Sequence, residues 1–139
     1  ALDVTVQAQI LALIRNLQAT RDMGVVFITY DLGIVAGMCD RVAVMYAGRI
    51  VETGPTTALF ETPRHPYTVG LQQSLPAIQQ RGSHLYTIPG NPPDMTEQIN
   101  GCPFLPRCAH AAAECGSASM HLEPVGKDQW TACIREQSP

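Results

Sequence analysis

Apolar residues recur at Val6, Ile10, Leu13, Ile14 and Leu17, the spacing of one helical face, and predict an amphipathic helix from about Val4 to Ala19. Asp3 stands where its N-cap belongs. After Gly24 the pattern changes: Val25-Val26-Phe27-Ile28 is an unbroken β-branched and aromatic run, the kind buried on both faces of a parallel sheet. A short helix from roughly Leu32 to Cys39 follows, with Asp31 placed to cap it. Val42-Ala43-Val44-Met45-Tyr46 predicts the next strand, and Ala47-Gly48 a two-residue turn into Arg49-Ile50-Val51-Glu52, because glycine supplies the positive φ such hairpins favour. That hairpin would carry the edge of the sheet. Beyond it, Thr56–Phe60 reads as a short helix, and Pro66 fits the first position of another in which Tyr67, Leu71 and Leu75 share a face.

All eleven prolines lie at or beyond Pro55, so a proline-free α/β part gives way to a proline-punctuated extension. The boundary drawn here gives residues 1–62 and 63–139. With 45% apolar residues in 139, the chain has enough material for a modest core and is too apolar for wholesale disorder. A net charge of −3 without a lysine or arginine run gives no electrostatic footprint for nucleic acid or an anionic membrane. Its apolar stretches fall short of the ~18 residues of a membrane span, and no charged n-region precedes an apolar h-region. A soluble, globular protein is expected.

Phe27 to Pro55 reads FITYDLGIVAGMCDRVAVMYAGRIVETGP, and this order of strand, polar tripeptide, helix and hairpin resembles the back half of an ABC transporter ATPase. In that family the strand ends in a His that reaches the γ-phosphate of ATP, within an Ile-Thr-His-Asp run; the matching run here is Ile28-Thr29-Tyr30-Asp31, so Tyr30 takes the switch position. Ala1-Leu2-Asp3-Val4 resembles the D-loop, in which Asp3 would bridge two ATPase subunits near the nucleotide. His65-Pro66-Tyr67-Thr68, then Ile88-Pro89-Gly90-Asn91-Pro92-Pro93 and four cysteines, are similar to the C-terminal extension of oligopeptide and dipeptide importer ATPases. The fold class implied is α/β: an incomplete P-loop (RecA-like) ABC ATPase sheet lacking its phosphate-loop strand, with a loop-rich four-cysteine C-terminal extension.

What the sequence lacks is as informative. It contains no Gly-x-x-x-x-Gly-Lys-Ser/Thr loop to cradle phosphates, no Ser-Gly-Gly signature and no Walker B acidic pair, so the chain reads as a fragment that should not hydrolyse ATP alone. In the family the phosphate-loop strand separates the switch strand from Val42–Tyr46. Without it each unpaired buried backbone group costs on the order of 1–3 kcal/mol, and the exposed edges should pair with another chain or close the gap non-natively.

Cys102, Cys108, Cys115 and Cys133 are separated by five, six and seventeen residues in a segment rich in Pro, Gly and Ala, where something other than packing should hold the chain. Four thiolates can bind Zn2+ or a [4Fe–4S] cluster; oxidation would instead give two disulfides, which a cytosolic location disfavours. Zinc sites usually include one short spacing, absent here, so the intervals lean to the cluster, with zinc second. The matching cysteines of peptide-importer ATPases are similarly placed and can carry an iron–sulfur cluster, which agrees with that ranking. Arg107 beside Cys108 would ease the thiolate charge. Cys39 reads as a small buried hydrophobe, and His84, His110 and His121 as loop histidines and not ligands.

Tyr30 departs from the family pattern. A phenol with a pKa near 10 stays neutral and reaches farther than an imidazole, which puts hydrolysis at this site in doubt. The resemblance further implies ATP and Mg in the full-length protein, a second ATPase subunit, two membrane-spanning permease subunits, and a place at the inner face of the cell membrane. A metal–thiolate module serving assembly or regulation is the alternative.

Overall fold

The computed structural model describes residues 3–76 and 84–135. Ala1 and Leu2 of the D-loop run lie outside the described residues. The chain forms two compact units, residues 1–39 and 40–139.

The first unit holds α1 (Val4–Arg21) and α2 (Leu32–Met38). Both caps fall where the sequence puts them. The Asp3 carboxylate accepts the Thr5 N–H at 2.8 Å, and Asp31 accepts those of Gly33 and Ile34 at 2.8 and 3.3 Å. Asp22 ends α1 in the left-handed region, φ 46°. The Arg15 guanidinium ties α1 to α2 through the Gly37 carbonyl and the Met38 sulfur. None of α1's residues is buried, and Val35 is the buried residue of α2.

Between these helices the expected parallel strand does not form. Residues 25–28 belong to no strand, and Val26, Ile28 and Tyr30 are 92%, 95% and 100% exposed. Among the described residues no strand lies alongside this β-branched run to complete a ladder, and without one an apolar run has nothing to bury against.

The second unit is organised by an antiparallel sheet in the order β1-β2-β4-β3. Its strands are β1 (Arg41–Tyr46), β2 (Arg49–Pro55), β3 (Glu123–Gly126) and β4 (Gln129–Thr131), and α3 (Thr56–Glu61) and α4 (Pro66–Gln73) follow the hairpin. Ala47 and Gly48 both have positive φ, 46° and 74°, as a twisted two-residue hairpin turn demands. The hairpin is not the free edge of a parallel sheet. Strand β2 pairs on its outer side with β4, placing Glu52 opposite Thr131 and Thr53 opposite Trp130, and Ala132 N–H donates to the Val51 carbonyl at 2.9 Å.

This docking supplies the extension with the core its composition does not announce. Phe104, Cys115, Met120 and Ala132 are buried with Val44, Tyr46, Val51 and Leu59. Tyr46, Tyr67 and Phe104 form an aromatic trio with ring centroids 4.6 to 5.4 Å apart, the Tyr46–Phe104 pair edge-on, within the range where such pairs add stability beyond area burial. Packing therefore holds the cysteine-bearing segment, contrary to the expectation that it needs another agent.

Candidate functional site

Two places carry the residues singled out in the sequence. In the first unit, Asp3 is occupied as the α1 cap, and the Thr5 N–H holds its carboxyl below the usual range. Tyr30 projects wholly into solvent at a bend, one residue before the α2 cap Asp31.

In the second unit, Cys102, Cys108, Cys115 and Cys133 line one cavity of about 20 Å³, together with His65 and His110. Tight turns bring them there. The 3-10 turns Leu105–Arg107 and Ala113–Ser117 fold the chain back, and Cys102 N–H donates to the Cys115 carbonyl at 2.9 Å. Thr131 Oγ1 accepts the Cys133 N–H at 3.2 Å, at the end of β4. Burial, with smaller contributions from neighbouring thiols, raises the thiol pKa of Cys102, Cys108 and Cys133, the last to about 11. These three are protonated near neutral pH.

That arrangement overturns the metal expectation. Among the described residues no three His, Cys, Asp or Glu side chains are grouped so as to hold a metal ion. Sharing a cavity wall is thus a weaker condition than converging on a common centre, and the [4Fe–4S] cluster, zinc, and the metal–thiolate module built on them are withdrawn. Arg107 is likewise not a counter-charge for thiolates. Its guanidinium donates to the Ile88 and Pro89 carbonyls, both at 2.9 Å, and to the Tyr46 hydroxyl at 3.3 Å, clamping the Ile88-Pro89-Gly90 loop onto the hairpin. It is Arg135 whose charge favours the Cys108 thiolate.

His65 is the residue whose environment the sequence understated. Its Nδ1 accepts the Tyr67 N–H at 3.1 Å and caps α4, with Pro66 in the first turn as expected. Nδ1 is then the acceptor nitrogen, so Nε2 carries the hydrogen, buried and without a partner among the described residues. Burial lowers the pKa from 6.5 to about 4. Between those values the unfolded chain takes up a proton that the folded one refuses, so stability present above pH 6.5 is lost as pH falls toward 4. The shift corresponds to on the order of 3 kcal/mol. His65→Asn keeps a capping acceptor and removes the titration. Its urea midpoint is expected to fall less than that of the parent between pH 7 and 4; equal slopes would refute the assignment.

Glu52 was not singled out in the sequence and is fully buried. Its Oε1 accepts from Arg64 N–H at 2.8 Å and Gln129 Nε2 at 2.9 Å, and Oε2 from His65 N–H at 2.9 Å. One carboxylate thereby joins β2, the entry to α4 and β4. No short sequence signal marks it, since Gln129 lies 77 residues away and the other two donors are main-chain groups.

Comparisons with known proteins follow the same division. Residues 51–115 match the family described as oligopeptide/dipeptide transporter, C-terminal region, which takes in β2 from Val51 onward, the His65 cap and the first three cavity cysteines. A putative peptide import ATP-binding protein of Brucella melitensis is 48% identical over 99% of this chain and 42% of its own length. The oligopeptide transport ATP-binding protein OppD of Salmonella typhimurium is 46% identical over 97% of this chain and 40% of its length, and that of Mycobacterium bovis is 46% identical over 99% of this chain. The chain spans about two fifths of the length of the first two relatives. It matches the C-terminal region of the ATP-binding subunit of oligopeptide/dipeptide ABC transporters.

Proposed function

We propose that this chain is part of the ATP-binding subunit of a peptide importer, with Asp3 in its D-loop. The observation that carries the reading is the similarity at 46–48% identity across 97–99% of the chain to proteins named for peptide import and ATP binding. In the assembled importer this subunit would pair with a second ATPase and press on two membrane-spanning permeases from the cytoplasmic side. No helix among the described residues is long and apolar enough to cross a membrane, so the permeases would supply the spanning segments.

Within that subunit Asp3 would lie near the partner ATPase and Tyr30 at the phosphate-sensing place. Full exposure of Tyr30 leaves it free to meet a nucleotide held by other residues. The 139 residues carry no phosphate loop, and backbone N–H groups cradling the phosphates are what such ATPases use to hold nucleotide, so the chain does not hydrolyse ATP unaided.

The test is a chimera in which this chain replaces the matching part of a peptide-importing relative, assayed for peptide uptake and ATP turnover in its full transporter. Uptake above the empty-vector level is expected, as is a faster turnover on Tyr30→His; the chain alone should show no turnover. A chimera that assembles yet imports nothing would sink the importer reading, and equal turnover with Tyr and His would remove Tyr30 from the phosphate site.

A further inference from the structure

We infer that the Asn100–Gly101 peptide is a site of spontaneous modification, at which the Asn100 side-chain amide is converted by way of a cyclic imide to a mixture of aspartate and isoaspartate. Water is the only co-reactant. The site stands independently of the importer reading.

The reaction needs a main-chain nitrogen able to reach the carbonyl carbon of the preceding side chain, and three features meet that need. Asn100 is exposed, in neither helix nor strand, and lines an open polar groove with Arg49 and Gln98, where water has access. Among the described residues no hydrogen bond holds the Gly101 N–H or the Asn100 amide. Gly101 has no Cβ to obstruct the approach to its nitrogen. The other two asparagines lack these features. Asn91 precedes Pro92, whose ring nitrogen carries no hydrogen to give up. Asn16 lies inside α1, where the Leu17 N–H belongs to the helical ladder and the backbone is fixed.

The Gly101 nitrogen attacks Asn100 Cγ; the N–Cγ bond forms, the Cγ–Nδ2 bond breaks, and the amide proton leaves with ammonia. Water then opens the five-membered ring. Cleavage at Cγ leaves aspartate, and cleavage at the main-chain carbonyl leaves isoaspartate, whose chain runs through Cβ and Cγ and is one carbon longer. The turn that follows has little slack for that carbon. Gly101 sits at φ +68° with the space for a Cβ filled by the Gly116 and Cys115 backbone, and the Cys115 carbonyl accepts the Cys102 N–H at 2.9 Å. Isoaspartate at position 100 would therefore strain the contact that carries the first and third cavity cysteines, whereas aspartate would add only a solvated charge.

The experiment ages the purified chain at physiological temperature, folded and in urea, and maps its peptides by mass spectrometry with fragmentation that separates aspartate from isoaspartate. In the folded chain Asn100 should convert about tenfold or more faster than Asn16 or Asn91, and urea should speed Asn16 while leaving Asn100 within about tenfold of its folded rate. Asn100→Gln should stay unmodified over the same period, because its ring would need six members. The aged chain, largely isoaspartyl, should unfold at a lower urea concentration than Asn100→Asp, which should unfold with the fresh parent. A folded chain whose Asn100 converts no faster than Asn16, or more than about tenfold slower than in urea, would overturn the site. An aged chain that unfolds together with Asn100→Asp would overturn the strain at the turn.

Discussion

Glu52→Ala is expected to cost about 3–9 kcal/mol, because it strands the N–H groups of Arg64 and His65 and one hydrogen of the Gln129 amide at about 1–3 kcal/mol apiece. Small domains have only about 5–15 kcal/mol in total, so the 40–139 unit should lose a large share of its stability. Gln129 keeps its second bond to the Thr62 carbonyl at 3.0 Å, which sets the lower end of the range. Urea unfolding followed by the fluorescence of Trp130, the one tryptophan, measures the change directly. A loss under about 1 kcal/mol would mean that water replaces the carboxylate without penalty.

The second large effect is expected at Gly101. Its φ of +68° already disfavours any side chain, and a Cβ there would fall against the Gly116 carbonyl group and the Cys115 oxygen. These are backbone atoms in a tight turn, so relief means separating the chain that carries Cys102 from the chain that carries Cys115. Gly101→Ala should therefore destabilise by about 3–4 kcal/mol, the cost of an unfavourable φ added to that of overpacking. The same experiment applied to Gly24, which has open space around its would-be Cβ and no positive φ, should give no more than a small change of either sign. A similar response at the two glycines would show that the turn at Gly101 gives way easily.

Local chemistry was legible in the sequence. Asp3, Asp31 and Pro66 start helices where their side chains or missing N–H permit, and Ala47-Gly48 turns the hairpin, because each device acts within four residues. What the sequence hid depends on distant partners. The apolar run at 25–28 says "bury me" but cannot say against what, so its strand status rested on a neighbour that the described residues do not provide. The docking of β4 on β2 joins residues about 80 apart, and no composition rule foretells it. For the cysteines, spacing predicted proximity and chemistry together; their shared cavity shows the first, while the second failed on convergence.

Joining β2 to β4 also has a temporal consequence. About 70 residues separate the end of β2 from the start of β4, and at roughly 5–20 residues per second a ribosome needs several seconds to make them. Throughout that interval the hairpin's outer hydrogen-bonding groups are open while the strand that caps them has yet to be made. A nascent polypeptide stalled before Gln129 would thus be a substrate for chaperones, and a stop codon before Gln129 would leave the hairpin's outer edge permanently unpaired.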